Sequence, residues 1–453
     1  MRWRATAAAV LTAAGCAMGW AAGQGPQGAA EWSDAAIRAS RRETPSPAGP
    51  AARLPVSPDV LLVTQPDGGQ VLVFDHGNLE LLQRFKPRQP VLAQPKATPD
   101  GHYVFVASKD GWLTQYDLRQ GGVPVAEVRA GLELRDFALS ADGRWVLVGN
   151  ATPHSLALFD SQLNLVRTYP ARTLDGKVSS PVAAVHDAAP RKSFVVSFDT
   201  LPQLWDLSYD PGAEPIFDGL VHDYRMGEGI ATAGFLGARR VPLEQATTII
   251  GFDAARRHVL ATAAGTGAER QADTVDIINL DVRRRIASLP VRGSPAAQAA
   301  APFAQRGRPL VALAVPAEGI AIVDPAGWRI AQTVSVPAAV VFVVTHPNLP
   351  HLWAGSSVPG GAGKLTLIDK DTLQVAAVLE VPGGAPGRAG FNRDGSRAWV
   401  MLEGEPGAVL VYDTRAPAQV RHVPLAARAA SLQCPGERCT VARPEPPDPG
   451  TPR

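Results

Sequence analysis

Short apolar runs alternate with tight polar turns along residues 99–131, and the rest of the chain repeats this pattern. Residues 103–106 (YVFV) and 113–116 (LTQY) are separated by a Lys-Asp-Gly turn, and a Gly-Gly turn leads into residues 123–128. Glycine and aspartate suit such turns because they tolerate the backbone angles of tight hairpins. No apolar period of 3.6 residues runs through the stretch, so it predicts an antiparallel meander of short strands.

The meander recurs, and its spacing predicts the fold. Eight apolar runs are closed by an aspartate, and successive aspartates are separated by 42, 43, 46, 75, 43, 45 and 44 residues. We expect each aspartate to cap a turn by accepting backbone N–H bonds. They are Asp75, Asp117, Asp160, Asp206, Asp281, Asp324, Asp369 and Asp413.

A period of about 40–45 residues with four short strands per unit is typical of propeller blades, which bury their faces by packing in a ring. We therefore predict an all-β fold, an eight-bladed β-propeller of four-stranded antiparallel blades over residues 57–443. A seven-bladed ring remains open if a terminal unit is incomplete. The one enlarged spacing predicts an insertion at about residues 212–245, in or after the fourth blade.

The first 56 residues differ from the repeats. Arg2 and Arg4 precede an apolar stretch over residues 5–14, which predicts a signal peptide over residues 1–23 and a flexible lead-in over 24–56. The apolar stretch is too short to span a bilayer, so we expect no transmembrane helix in the mature chain. The expected location is the periplasm or the medium. A lipid anchor at Cys16 stays open, and the mass of the mature N-terminus distinguishes the two.

Composition narrows the class of partner. Hydrophobic residues make up 45% of the chain, charged residues 19%, and the net charge is +2. These values are typical of a globular protein, and a nearly neutral chain gives no reason to expect nucleic acid as a partner.

Two cysteines remain after the predicted cleavage. Cys434 and Cys439 lie in CPGERC, where a Pro-Gly turn can bring the sulfurs together. In an oxidising compartment we expect a disulfide, with a metal pair as the alternative. No C-x-x-C-H motif for covalent haem attachment is present. The Pro-rich residues 444–453 are expected to form a disordered tail.

A central channel is the place to look for a site in such a ring, since no catalytic or metal-binding motif stands out. Arg135 lies in the predicted innermost strand of blade three, where a charged group among apolar residues needs a partner. That partner is either a neighbouring carboxylate such as Asp136 or an anionic ligand held by bidentate hydrogen bonds. Tyr224 and Arg225 lie in the predicted insertion, which can cover one mouth of the channel.

Two segments resemble a known family. DGHYVFVASKDGWLTQYDLRQGGVPVAEVRAGLELR and THPNLPHLW resemble the propeller of cytochrome cd1 nitrite reductase and its relatives in d1-haem biosynthesis. The resemblance implies a periplasmic protein that holds a carboxylate-rich tetrapyrrole in its channel. It also implies that Arg135 falls where the family places a propionate-binding arginine, and Lys96 near another basic position.

At the expected positions this chain lacks the histidines that the family uses to bind its haem and to reduce its substrate. The family's axial haem ligand is expected near Leu92, and its paired active-site histidines near Arg191 and Thr248, where this sequence has no histidine. An iron without an axial ligand is held weakly, and nitrite reduction loses its proton donors. We therefore expect a protein that binds d1 haem or a precursor, or assists its maturation, without independent nitrite reductase activity.

Two alternatives remain. The first is a secreted propeller that serves as a protein-interaction scaffold, so that the partner is a periplasmic protein and not a tetrapyrrole. The second, a lactonase- or quinoprotein-like enzyme, ranks last because no metal or cofactor constellation is present in the sequence. The side chains that line the channel mouths distinguish the readings, since clustered arginines and aromatics favour a tetrapyrrole.

Overall fold

Eight antiparallel sheets form the ring that the spacing predicted, and the protein is an eight-bladed β-propeller. The computed structural model describes residues 32–433, apart from 45–59, 66–68, 78–79, 93, 218–230, 265–273, 294, 296–298, 358–361, 404–406 and 426–430. Each blade has four strands, and blade two gains a fifth at its outer edge.

The strands are given from the channel outward. Blade one contains β33 (Ser431–Gln433), β2 (Val60–Gln65), β3 (Gln70–Asp75) and β4 (Leu81–Phe85); blade two β5 (Lys96–Ala97), β6 (Tyr103–Ala107), β7 (Trp112–Asp117), β8 (Val123–Arg129) and β1 (Arg42–Glu43); blade three β9 (Glu133–Leu139), β10 (Trp145–Thr152), β11 (Ser155–Asp160) and β12 (Leu165–Pro170); and blade four β13 (Val182–Ala188), β14 (Ser193–Phe198), β15 (Gln203–Ser208) and β16 (Ala238–Pro242). Blade five contains β17 (Thr247–Phe252), β18 (His258–Ala263), β19 (Thr274–Asn279) and β20 (Arg284–Pro290); blade six β21 (Ala300–Gln305), β22 (Arg308–Val315), β23 (Gly319–Asp324) and β24 (Arg329–Val334); blade seven β25 (Ala339–Thr345), β26 (His351–Ser357), β27 (Gly363–Asp369) and β28 (Val375–Val381); and blade eight β29 (Ala385–Phe391), β30 (Arg397–Glu403), β31 (Ala408–Asp413) and β32 (Ala418–Pro424).

The ring is closed by pairing strands from the two ends of the chain. The innermost strand of blade one is β33, which pairs antiparallel with β2 so that Val63 lies opposite Leu432. The other three strands of that blade come from residues 60–85. The unpaired inner edge that β2 would otherwise present is therefore covered.

The apolar core is divided among the interfaces between neighbouring blades. Separate clusters join blades one and two, two and three, three and four, four and five, seven and eight, and eight and one, and a larger cluster spans blades five to seven. The buried faces of each sheet supply these clusters through residues that alternate along the strands. Burial between blades, and not within one, thus stabilises the ring.

Six of the eight recurrent aspartates cap turns as expected. Asp75, for example, accepts a hydrogen bond from the backbone N–H of Gly77 (2.9 Å). Asp206 and Asp281 instead bind Arg191, at 2.9 and 2.5 Å, which joins blade four to blade five. The capping aspartates are Asp75, Asp117, Asp160, Asp324, Asp369 and Asp413.

Part of the lead-in that we expected to be flexible is ordered. Helix α1 (Asp34–Ser40) is capped by Ser33, buries Ile37 between blades two and three, and is followed by β1, which pairs with β8. The Trp32 indole donates to the carbonyl of Arg129 in blade two (3.2 Å), and Arg38 donates to that of Leu165 in blade three (2.7 Å). We name residues 32–44 the N-terminal clasp.

The predicted insertion lies inside blade four, between β15 and β16. Only part of residues 212–245 is an excursion, because β16 is the outer strand of the sheet. The predicted signal peptide, the remainder of the lead-in and the predicted tail lie outside the described residues.

Candidate functional site

The innermost strands of successive blades contact one another and form the channel wall. We call the end of the channel at which these strands begin the upper mouth. In each blade, one residue closes the turn from the innermost strand to the second strand. Residues that precede this residue by the same number of positions lie at the same level of the channel. Lys96 of blade two and His186 of blade four occupy the same position. Asp136 of blade three and Arg388 of blade eight occupy a shared position two residues earlier in their strands.

A bulge in the inner strand of blade three presents Arg135. Asp136 pairs with Gly149 and Leu134 with Asn150, so Arg135 has no opposite residue on β10. Such a bulge re-aims the side chain of the extra residue. The inner strands of blades four, five, seven and eight carry the same irregularity, and their extra residues are small or apolar. These are Ala183, Ile250, Val341 and Gly387.

Arg135 pairs with Asp199, and not with the neighbouring Asp136 that the sequence suggested. Its Nη2 lies 3.6 Å from Oδ2 of Asp199. Asp199 follows β14, and it reaches the upper mouth because β14 runs antiparallel to β13. The sequence could not indicate this partner because it comes from the next blade.

The Asp136 carboxylate already accepts two backbone hydrogen bonds. Its carboxylate accepts the backbone N–H groups of Phe137 (2.8 Å) and of Val185 in blade four (2.9 Å). Burial raises the pKa of this carboxyl, while the positive charge of Lys96 and the two backbone hydrogen bonds oppose the rise. Asp136 therefore ties blades three and four together beside a basic side chain.

Lys96, which the family resemblance placed near a basic position, lies beside blade three. Its ammonium lies 6.0 Å from the centroid of the Phe137 ring, within the range of a cation–π contact. Its charge acts on both Asp136 and His186. Lys96 is thus a positive charge that acts across three blades. We name Lys96, Asp136, His186 and Arg388 the inner ring.

His186 is an inner-ring residue that the sequence reading missed. Its ring meets the ring of Phe252 in blade five edge to face at 5.6 Å. The Nε2 atom is buried and has no hydrogen-bond partner among the described residues. Burial lowers the pKa of His186 to about 3, and the positive charges of Arg256 and Lys96 act in the same direction. The imidazole is therefore neutral at pH 7.

An active-site histidine of the family was expected near Arg191, but Arg191 does not belong to the channel wall. Arg191 ends a short turn after β13, where it bonds Asp206 and Asp281. His186 is a polar side chain in a largely apolar inner strand, so the criterion that selected Arg135 could also have selected His186.

Arg388 is the second residue that was missed. It is partly buried in β29, and burial lowers its pKa while Glu403 opposes the shift. Within the part of the chain that the structure describes, its guanidinium makes no hydrogen bond and no ion pair. An arginine has five N–H donors, so Arg388 retains its full capacity to bind an anion.

Several predicted site residues cannot be placed. Tyr224 and Arg225, the expected disulfide of Cys434 and Cys439, and the anchor candidate Cys16 lie outside the described residues. No described helix has the length and apolar character needed to cross a bilayer. Among the described residues, no three His, Cys, Asp or Glu side chains are grouped as metal ligands.

A large cleft lies elsewhere. A cavity of about 970 Å³ lies between blades two and three on the face opposite the upper mouth, with the N-terminal clasp as one wall. Two of its carboxylates, Asp100 and Asp142, are engaged in turns by a neighbouring hydroxyl and a backbone N–H each. Arg388, whose guanidinium has no partner among the described residues, lies in the inner ring with Lys96, so we place the candidate site there.

Comparison with known proteins identifies a family over nearly the whole propeller. A family model described as the cytochrome D1 heme domain matches residues 56–218 and 236–432. The unmatched stretch falls within the insertion in blade four.

Two curated relatives are similar over most of the chain. The dihydro-heme d1 dehydrogenase of Pseudomonas aeruginosa is 33% identical over 412 residues, which cover 89% of this chain and 77% of that protein. Protein NirF of Stutzerimonas stutzeri is 26% identical over 311 residues, 67% of this chain and 73% of that protein.

A solved structure shares the fold. The structure described as dihydro-heme d1 dehydrogenase NirN in complex with DHE superposes with a TM-score of 0.76 at 31% identity. The match covers 92% of this chain and 84% of that one. The eight-bladed architecture therefore has an experimental counterpart.

Proposed function

This chain belongs to the cytochrome D1 heme domain family, and from that premise we propose that it binds d1 haem or a closely related precursor in its central channel. The ligand is a tetrapyrrole with several carboxylates, as the family resemblance implies. The observation that carries the proposal is Arg388, an inner-ring arginine whose donors are uncommitted among the described residues.

The inner ring fits the carboxylates of such a ligand. Arg388 can donate two parallel hydrogen bonds to one carboxylate, and Arg135 at the upper mouth keeps its donors available. Lys96 adds positive charge between blades two and three. The small bulge residues Ala183 and Gly387 keep side-chain volume out of this part of the ring. When bound, the group supplies a redox-active iron macrocycle, while these residues hold and orient its acidic side chains.

The relatives support a finer role. One of them is a dihydro-heme d1 dehydrogenase by name, and the solved structure of that protein contains DHE. We place this chain in the maturation or delivery of d1 haem outside the cytoplasm, without independent nitrite reductase activity. The predicted signal peptide supports that location.

A titration tests the proposal through Arg388. Purified mature protein is mixed with d1 haem, and the visible spectrum is followed to saturation. We expect a shifted spectrum with one ligand per chain, and about tenfold weaker binding for Arg388→Gln, because a charge-assisted hydrogen bond pair is lost.

Arg84→Gln is the matched control. Arg84 is exposed on β4, the outermost strand of blade one, and we expect its variant to bind as the wild type does. A wild-type spectrum that never shifts at micromolar protein would remove the proposal and leave the interaction scaffold as the better reading. Equal losses in both variants would remove the channel as the site.

A further inference from the structure

We propose that Asp199 is a displaceable counter-ion for Arg135, which occupies the guanidinium until a ligand carboxylate replaces it. Asp199 thereby sets how strongly the upper mouth selects ligands that carry a carboxylate. The inference rests on the proposed function for its ligand, but the ion pair itself is a property of the protein alone.

Arg135 is only partly committed to Asp199. The 3.6 Å separation is an ion pair that faces one guanidinium nitrogen and lies outside hydrogen-bond distance, so none of the five N–H donors is used by Asp199. No hydrogen bond of Arg135 occurs among the described residues. The two side chains are 47% and 39% exposed, so either can be solvated after the pair separates.

Asp199 is held in place by its backbone. Its N–H donates to the carbonyl of Pro181 (3.1 Å), and the next N–H, of Thr200, donates to the hydroxyl of Ser180 (2.9 Å). These bonds fix the hairpin to the segment that enters blade four. The carboxylate consequently stays near Arg135 whether or not they are paired.

A structural arginine of the same protein provides the contrast. Arg191 is 13% exposed and contacts two carboxylates at 2.9 and 2.5 Å. Replacing those contacts would leave buried charges unpaired, which is costly. Replacing the Asp199 contact leaves a solvated carboxylate, and the arriving carboxylate gains a bidentate hydrogen-bonded pair.

The exchange predicts a modest and selective effect. An exposed ion pair of this kind affects an equilibrium by about two- to fivefold. A ligand carboxylate must overcome that competition, whereas a porphyrin without carboxylates does not engage Arg135. Asp199→Asn should therefore tighten the binding of acidic tetrapyrroles and leave neutral ones unchanged.

The first experiment needs no tetrapyrrole. The rate at which phenylglyoxal labels Arg135 is measured by peptide mass spectrometry in the wild type, Asp199→Asn and Glu133→Gln. Glu133 begins β9 at the same mouth, so its variant changes the net charge equally. We expect faster labelling of Arg135 in Asp199→Asn only. Equal rates in all three proteins would overturn the counter-ion.

The second experiment measures affinity. d1 haem and iron octaethylporphyrin, which has no carboxylates, are titrated into the same variants, into Arg135→Gln and into the Arg135→Gln, Asp199→Asn double variant. We expect d1 haem to bind Asp199→Asn about two- to fivefold more tightly, with a smaller gain when Arg135 is absent. Equal gains in Asp199→Asn and Glu133→Gln would show a general charge effect and refute selection by Asp199.

The two outcomes separate the two claims. Faster labelling together with no binding of d1 haem by any variant would retain the counter-ion and remove the proposed function. Binding of d1 haem together with unchanged labelling would retain the proposed function and remove the counter-ion. Thermal melts of each variant confirm that the ring stays folded.

Discussion

His76 links the stability of the ring to acidity through one side chain. It is 3% exposed, and its Nε2 accepts a hydrogen bond from the indole of Trp399 in blade eight (3.1 Å). Burial lowers the pKa of His76 to about 4, although Asp75 and Asp394 oppose the shift. The imidazole is therefore neutral and accepts a proton only at a cost to the seam between blades one and eight.

Acidification should weaken this seam. Because the folded pKa lies below the unfolded value of 6.5, stability is complete above pH 6.5 and is lost as the pH falls towards 4. The contribution of His76 is at most about 3 kcal/mol. Thermal melts at pH 7.5 and 4.5 should show a larger loss for the wild type than for His76→Asn. Equal losses would exclude His76 as the sensitive group.

Individual residues also show which contacts cannot be predicted from the sequence alone. Arg135 was found because it is charged in an apolar run, but its partner lies on a hairpin of the next blade. His186 and Arg388 meet the same criterion and were missed, because a bulge shifts the alternation of each inner strand by one residue. Without the strand register, Lys96 and His186 could not be assigned to the same level of the channel.

At the scale of elements, the N-terminal clasp joins two blades from outside. Its helix has 7 residues and buries Ile37, which is 2% exposed, against the cluster of blades two and three. A helix this short is unstable alone, so the packing of Ile37 and the anchors at Trp32 and Arg38 keep it docked. So short an element has too few turns to show an apolar period, which is why the sequence suggested a flexible lead-in.

Ile37→Asp should release the clasp without opening the ring. Burying a carboxylate in place of an apolar side chain costs more than a local docking of this size can supply. We expect protease cleavage within residues 32–44 to become at least about tenfold faster while the main melting transition persists. Ala35→Asp is the control because Ala35 is exposed on the same helix. Similar cleavage of both variants would show that charge, and not burial, governs the release.

At the scale of the whole molecule, the repeat made the architecture predictable. Each blade closes its third strand near an aspartate, and the spacing of those aspartates reports the blade count directly. The sequence of a single blade is not sufficient, since each apolar cluster requires the neighbouring blade. The closing strand β33 carries no such aspartate, so the way in which the ring closes was not readable from the spacing.

Truncation tests the role of that closing strand. A chain ending at Leu425 lacks β33, which leaves the inner edge of β2 unpaired and prone to association. We expect its melting temperature to fall by about 5 °C or more and aggregation to increase. A chain ending at Gln433 keeps β33 and should resemble the untruncated chain. Identical melts of the two truncations would show that β33 does not support the ring.

The pairing of β33 with β2 has a consequence for how the protein is made. Three strands of blade one are synthesised before strands β5 to β32 of the other seven blades, but the strand that completes blade one is synthesised after them. Contacts so distant in sequence form slowly, because a long loop must close before they contribute. Blades two to eight can assemble as an open arc during translation, and the first blade to begin is the last to be finished.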